Sequence, residues 1–309
     1  MGKERRGRLR GAVLCALLLG SLAGCAGPQA ERQRDGGAAY PSGSLDLAGS
    51  SSMEKLTDAL AEGFMEQYPD VAVTVQFTGS SAGIEAVVNG SADIGNISRN
   101  LSEEETDRGA RAYVVALDGI AVCVDSANPV TEITERQLRD IFTGKIRNWA
   151  ELGGGDVPIV PIGREAGSGT RETFEGLLGI SGRCTYGNEM DSTGAVMARI
   201  TSTPGAIGYV SFDAVSIEAE KDKRNNVHTL SLDGVEPTIE NVKEGNYLLS
   251  RPFLMVTHGE LSAQSELVRL WFCYVYSEEG RSIAEKAGLA VPDGSFELKP
   301  AGIGYDDSK

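Results

Sequence analysis

Apolar positions along most of this chain recur with one of two periods, and the two periods alternate. "SLDLAG" at 44–49 and "VAVTVQF" at 71–77 repeat every second residue, the latter with Val71, Val73, Val75 and Phe77 on one face, which predicts strands. Between them Met53, Leu56, Leu60 and Phe64 recur at helical spacing up to Tyr68-Pro69, where the proline stops the helix. "AGIEAVVNG" predicts a short helix closed by Gly90, and "ADIGNI" a third strand. The order strand, helix, strand, helix, strand predicts a parallel sheet with helices on its faces.

Two apolar runs are longer than one ordinary strand: "YVVALDGIAVCV" at 113–124 and "YLLSRPFLMVT" at 247–257. Each suits a segment that leaves one sheet and enters another. Between them a second α/β set follows: "TERQLRDIFTG" and "GTRETFEGLL" as helices, "PIVPIG" and "GAIGYVSF" as strands. The expected division is a first lobe of 44–119 plus 247–309 and a second of 120–246, two bodies of ordinary domain size joined by two crossover strands. The segment "SELVRLWFCYVYSEEGRSIAEKAG" predicts helix, turn and helix packed back on the first lobe, with Cys273 buried.

The start of the chain changes the picture of where this body resides. A basic opening, a short apolar stretch at 11–20 and "LAGC" ending at Cys25 predict an export signal over 1–24. Leu-Ala-Gly-Cys resembles the lipobox of bacterial lipoproteins, which makes Cys25 the lipidated first residue and anchors the chain to the outer side of the cell membrane. Arg5 and Arg6 also admit a twin-arginine route. Residues 25–43, poor in large apolar groups and rich in Gly and Pro, read as a flexible linker. Removing the signal takes away five basic and one acidic residue and leaves 24 positive against 43 negative groups, a balance near −19. Such a balance argues against nucleic acid as a partner. It leaves a small anion open, because charges farther than roughly 8 Å are screened and the lining of a pocket decides. Two histidines and no C-x-x-C spacing predict no metal site, and Cys123 with Cys184 is the first candidate for a disulfide.

Three turns share one design, a strand, then Gly with Ser or Thr, then a helix: "AGSSSMEKL" at 48–56, "FTGSSAGIEAV" at 77–87 and "GREAGSGTRETF" at 163–174. At such a junction the first helical N–H groups lack partners, hydroxyls add donors, and the dipole adds partial positive charge worth about 0.3–1 kcal/mol toward an anion. Simple N-capping explains any one of them alone. In a parallel sheet, however, these turns all leave from the carboxyl edge, where ligands bind. Two belong to the first lobe and one to the second, so they can face each other across a cleft.

"GREAGSGTRETF" together with "TGSSAG", "ADIGNISR", "VTEITERQLRDIFTGKIRNW", "PGAIGYVS" and the lipobox resembles the phosphate-binding lipoproteins that feed bacterial phosphate ABC transporters, in order from about Leu45 onward. The resemblance implies a two-lobed periplasmic-binding-protein fold of the type II, venus-flytrap kind. It implies no catalysis and no cofactor, closure of the lobes on inorganic phosphate, and delivery to a membrane permease; a monomer is expected. By position, Arg164 resembles the family's phosphate-pairing arginine, whose fork matches two oxygens. Ser168, Gly169 and Thr170 match its donor turn and Ser80 its second-turn serine. Ser52 and Met53 match the first-turn pair, with Ser51 possible if the alignment slips by one. Where many members carry an aspartate that accepts the phosphate proton, this chain offers Ser98, with Arg99 beside it and Asp191 a possible acceptor from the other lobe. Another tetrahedral oxyanion such as sulfate therefore stays open. Asp93 is read as a local backbone cap and Arg171 as a solvated charge on the outer face of its helix.

A second class competes. Gly79–Gly83, "GSSAG", fits the nucleophile elbow of a serine hydrolase, with Ser81 as nucleophile and His228 or His258 as base. No G-x-x-x-x-G-K-[ST] is present, so the glycine-rich turns do not signal an NTPase.

Overall fold

The computed structural model describes residues 41–216 and 227–292. The expected export signal, Cys25, most of the expected linker and the stretch 293–309 lie outside the described residues.

The first segment forms β1 (Gly43–Gly49), a 3-10 turn Ser51–Met53, α1 (Glu54–Gln67), β2 (Val71–Gln76), α2 (Ser80–Val88) and β3 (Ile94–Ile97). β1 is central, pairing in parallel with both β2 and β3. Its alternation puts Leu45 and Leu47 inward against Leu56, Leu60 and Phe64 of α1, the face that the helical period requires. Tyr68 closes α1 by bonding its N–H to the Phe64 carbonyl, one residue before Pro69. A five-residue helix, α3 (Glu103–Asp107), follows. It has no apolar stripe, and a capping box between Ser102 and Glu105 holds it.

β4 (Ala110–Asp125) is the backbone of the architecture. Its first part pairs antiparallel with β11 (Ser250–His258), from Ala110↔His258 to Gly119↔Ser250. From Ile120 on, its partners are β8 (Ala206–Ser211) and β9 (Val227–Thr229). At the change of partners the Phe212 ring lies where a Gly119 side chain would stand, 2.3 Å from the Cβ position.

Beyond β4 come β5 (Glu132–Ile133), α4 (Glu135–Phe142), β6 (Val160–Arg164), α5 (Gly169–Leu177), β7 (Asn188–Met190), α6 (Thr193–Ser202) and β8, with β10 (Ser231–Leu232) pairing β5. One nine-stranded sheet results, ordered β2-β1-β3-β11-β4-β8-β6-β7, with β9 on β4. Apolar side chains separate along it. Ile120–Val124, Leu138, Phe142, Phe174, Ile200, Ile207 and Tyr209 share one core. Leu45, Met53, Phe64, Phe253, Trp271 and Phe272 share another, with a small cluster of Ile84, Val87, Ile97 and Val256 under α2. Each such side chain contributes roughly 1.5–3 kcal/mol by leaving water. Tyr247 and Leu249, the start of the second long apolar run, belong to the former core. There the Tyr247 hydroxyl donates to the Ile120 carbonyl at 2.9 Å, before strand pairing begins at Ser250.

The helices Glu266–Val275 and Glu278–Lys286 pack back on the core that holds Phe64. Cys273 is exposed, contrary to its expected burial, because Trp271, Phe272, Tyr274 and Val275 use up the inward face of the helix. The three described cysteines are free thiols. Cys123 and Cys184 each donate to a carbonyl of their own segment, Ala121 and Ile180, instead of joining.

Candidate functional site

The parallel strands β1, β2, β3, β6 and β7 bring their carboxyl ends to one place, and the backbone there is shaped for close approach. Gly49 has φ +142°, and a Cβ on it would lie 2.0 Å from the Asn96 carbonyl oxygen. That leaves room for Ser50 to donate its N–H to the same oxygen at 2.8 Å. Ser50 caps the turn that follows by accepting from the Ser52 N–H, and its hydroxyl donates to Ser98 Oγ at 2.9 Å. Ser80 Oγ accepts from the Ser98 N–H at 3.2 Å. Ser98, Ser80, Ser52, Ser168 and Thr170 are all almost completely buried.

The third turn meets the first two. A Cβ on Gly169 would lie 2.3 Å from Ser80 Oγ and 2.9 Å from Ser98 Oγ. Thr170 Oγ1 and Ser52 Oγ are 2.7 Å apart, and the Ser81 N–H donates to the Gly167 carbonyl at 3.2 Å. Ser168 caps α5 by accepting from the Arg171 N–H. The hydroxyl-bearing turns therefore share one location. Met53 is different: its side chain is wholly buried in the core against α1, and its N–H goes to the Ser50 carbonyl.

Arg164, the last residue of β6, is 2% exposed and aims its guanidinium into this cluster. Nη2 donates to Ser51 Oγ at 3.1 Å and Nη1 to Thr193 Oγ1 at 3.3 Å. Glu165 holds the fork from the other side through Nε and Nη2, both at 3.0 Å. The backbone beneath it is fixed by aromatics: the Arg164 N–H donates to the Tyr209 hydroxyl, and Phe174 stacks on the Tyr209 ring at 4.0 Å. A groove of about 640 Å3 has Ser51, Glu54, Lys55, Asp58, Thr193 and Met197 in its wall and so brings solvent up to the two hydroxyls that Arg164 touches.

Two participants escaped the sequence reading. Thr193 opens α6 after β7, donating its N–H to Ser51 Oγ at 3.3 Å and lying 3.2 Å from Ser52 Oγ. Its stretch "DSTG" repeats the strand, hydroxyl, glycine, helix design of the other turns. Arg251, a lone charge in the apolar run of β11, donates from Nη1 to Thr170 Oγ1 at 2.7 Å. It is paired with Asp118, its neighbour on β4, and neither side chain is exposed. Burial lowers the Arg251 pKa, opposed by Asp118. Burial also pushes Asp118 up to about 7 and Asp213 to about 6, with Arg251 and Ser211 pulling the other way. Two guanidinium groups and a ring of hydroxyl and N–H donors make the site chemically suited to an oxyanion.

Other candidates are engaged elsewhere. Arg99 is bound by Glu105 on its own segment and by Glu172 of α5 at 2.7 Å, so its charge is spent on carboxylates. Asp191 is exposed, and it is its carbonyl that accepts from Arg164 Nη2. Asp93 bonds backbone, though not locally: it accepts from the N–H of Asp46 on β1. Arg171 is not a solvated charge: it bonds Glu175, Glu189 and the Arg164 carbonyl, and lies 4.9 Å over the Tyr186 ring. Ser81 Oγ donates to Glu172 and accepts from Arg99, while His228 Nε2 bonds the Val130 carbonyl and exposed His258 packs beside Gly109. The elbow therefore has no histidine beside it. Among the described residues no group of His, Cys, Asp and Glu is placed to hold a metal ion.

A family profile described as the PBP superfamily domain matches residues 35–279. The phosphate-binding protein PstS of Bacillus subtilis is 37% identical over 268 residues, covering 85% of this chain and 86% of its own. Among solved structures, a Clostridium perfringens chain described as a phosphate ABC transporter substrate-binding protein, determined with bound phosphate, is 38% identical with a TM-score of 0.75. It covers 81% of this chain and 100% of that one. An ABC-type phosphate transport receptor from Vibrio cholerae is 33% identical with a TM-score of 0.65, covering 80% and 100%.

Proposed function

This chain belongs to the PBP superfamily and, within it, to the family of bacterial phosphate-binding proteins of ABC importers, and from that premise we propose that it captures inorganic phosphate outside the cytoplasmic membrane and hands it to an importer's permease. Its relatives are substrate-binding proteins rather than enzymes. The proposed ligand set is Ser52, Ser80, Ser98, Arg164, Ser168, Gly169 and Thr170, with Met53 contributing at most through its backbone.

The observation that carries this reading is convergence. Ser52, Ser80, Ser98 and the Gly169–Thr170 turn come from four strand ends, yet Ser52 bonds Thr170, Ser80 bonds Ser98, a Cβ on Gly169 would meet both Ser80 and Ser98, and Ser52 adjoins Ser51, which Arg164 bonds. We assign lobe I to 44–119 and 247–309 and lobe II to 120–246. The division is supported by two cores that separate along β4 and by the change of partners after Gly119, while Tyr247 and Leu249, packed in the core of lobe II, form the start of the return crossing. Closure follows because only the shut form lets donors of both lobes reach one anion. Cys25 is assigned as the lipid anchor of a monomer, on the strength of "LAGC"; no helix among the described residues is long and apolar enough to cross a membrane.

Calorimetry with phosphate and then sulfate tests the reading. Phosphate is expected to bind with at least micromolar affinity, about 8 kcal/mol. The absence of phosphate binding overturns it, and tighter binding of sulfate moves the assignment to another tetrahedral oxyanion, which Ser98, at the position where the resemblance implies an aspartate, leaves open.

A further inference from the structure

We propose that Arg251 is a positioning residue of the anion site, which turns the Thr170 hydroxyl into an obligate donor to the bound anion. The inference deepens the phosphate-binding reading and rests on it.

The argument is one of hydrogens. A guanidinium has donors and no acceptor. Arg251 Nη1 donates to Thr170 Oγ1 at 2.7 Å, so that bond consumes a lone pair of Thr170 and leaves its single hydrogen to point elsewhere. The group in reach is Ser52 Oγ at 2.7 Å. The same reasoning holds on the opposite side, where Arg164 Nη1 donates to Thr193 Oγ1 and Thr193 lies 3.2 Å from the same Ser52 oxygen. Two arginines, one from each side, each polarise one threonine, and both hydroxyl hydrogens meet at Ser52. An oxyanion oxygen brought there receives two charge-backed donors besides the direct bond that Arg164 gives the anion.

The surroundings of Arg251 fit this task. Its Nε donates to Asp118 Oδ2 at 2.8 Å, and Nη2 lies 2.7 Å from the same oxygen with its N–H bonds not aligned on it. Asp118 Oδ1 is taken by the Phe212 N–H. Asp118 thus grips one edge of the fork and directs the other toward Thr170 and the Ser98 carbonyl, which Nη1 reaches at 3.4 Å. Because Arg251 and Asp118 stand opposite each other on β11 and β4, one residue short of the Gly119↔Ser250 pair, Thr170 is held from the crossover itself.

The test is a double-mutant cycle on the exported full-length protein. Phosphate affinity is read by calorimetry and stability by thermal midpoint without phosphate. Thr170→Val is expected to weaken phosphate about tenfold or more, the scale of a lost charged hydrogen bond, and Thr170→Ser to restore it. Arg251→Met leaves Asp118 buried and unpaired, so the cycle uses Arg251→Met with Asp118→Asn, which removes both charges and keeps the fold. That pair is expected to weaken phosphate to a similar degree, and adding Thr170→Val to it should cost little more. Affinity equal to wild type in Arg251→Met/Asp118→Asn overturns the inference, as does full additivity with Thr170→Val. A wild-type protein that binds no phosphate overturns the functional reading as well, which separates the two failures.

Discussion

The Ser81 N–H donates to the Gly167 carbonyl at 3.2 Å, so the turn that opens α2 and the turn that opens α5 meet main chain to main chain. No side chain intervenes because the neighbouring positions are Gly79, Gly167 and Gly169. The Cβ position of Gly79 is already 3.1 Å from the Gly167 oxygen. Closeness of the turns, more than any single donor, is what gathers the hydroxyls.

Gly169→Ala tests that closeness. The added methyl would stand 2.3 Å from Ser80 Oγ and 2.9 Å from Ser80 Cβ, so the turns must separate. Phosphate affinity is expected to fall by about tenfold or more, a cost of roughly 1–3 kcal/mol typical of overpacking. Calorimetry beside a thermal melt checks it; unchanged affinity would show that the turns do not close on the anion.

Arg164→Ala removes the buried fork that bonds Ser51 and Thr193. Phosphate binding is expected to weaken by about 1.5–3 kcal/mol. The measurement is a calorimetric titration, and an affinity within error of wild type takes Arg164 out of the site.

Arg99, just after β3, joins Glu172 of α5 at 2.7 Å, with Glu172 about two-fifths exposed. Burial raises the Glu172 pKa, which Arg99 counteracts. Arg99→Gln is expected to weaken phosphate by no more than about 1 kcal/mol, since an exposed partner is screened. A loss as large as that of Arg164→Ala would place Arg99 on the ligand.

Acid should favour the fold through Asp213. Its carboxyl is raised by burial to about 6, against a value near 4 in an unfolded chain. It binds its proton more tightly when folded, so its stabilising share is full below about pH 4 and is lost as pH climbs through about 6. The thermal midpoint of Asp213→Asn is expected to vary less across that window than that of wild type. An identical pH profile would show that Asp213 does not titrate there.

The sequence made the regular elements readable because their burial is local. Leu56, Leu60 and Phe64 line one face of α1 by spacing alone, and β1 alternates as its half-buried position requires. α3 offered no apolar period, only Ser102 and Glu105, a capping signal that could have been read. Thr193 was likewise within reach, since "DSTG" repeats the turn design. Arg251 was not: its burial depends on Asp118, 133 residues away, and no short window contains both. Arg171 went wrong for the same reason, its partners Tyr186 and Glu189 arriving from beyond its helix.

β4 and β11 run side by side where the two apolar cores divide, bonded to each other up to Gly119 and Ser250. A ribbon of two mutually tied strands bends far more easily than it shears, because sliding would break every rung of the ladder at once. The two proposed lobes are thus expected to swing mainly about this ribbon, like covers on a spine. A pair of fluorescent labels, one on each proposed lobe, is then expected to report closure and serve as an optical gauge of ligand concentration.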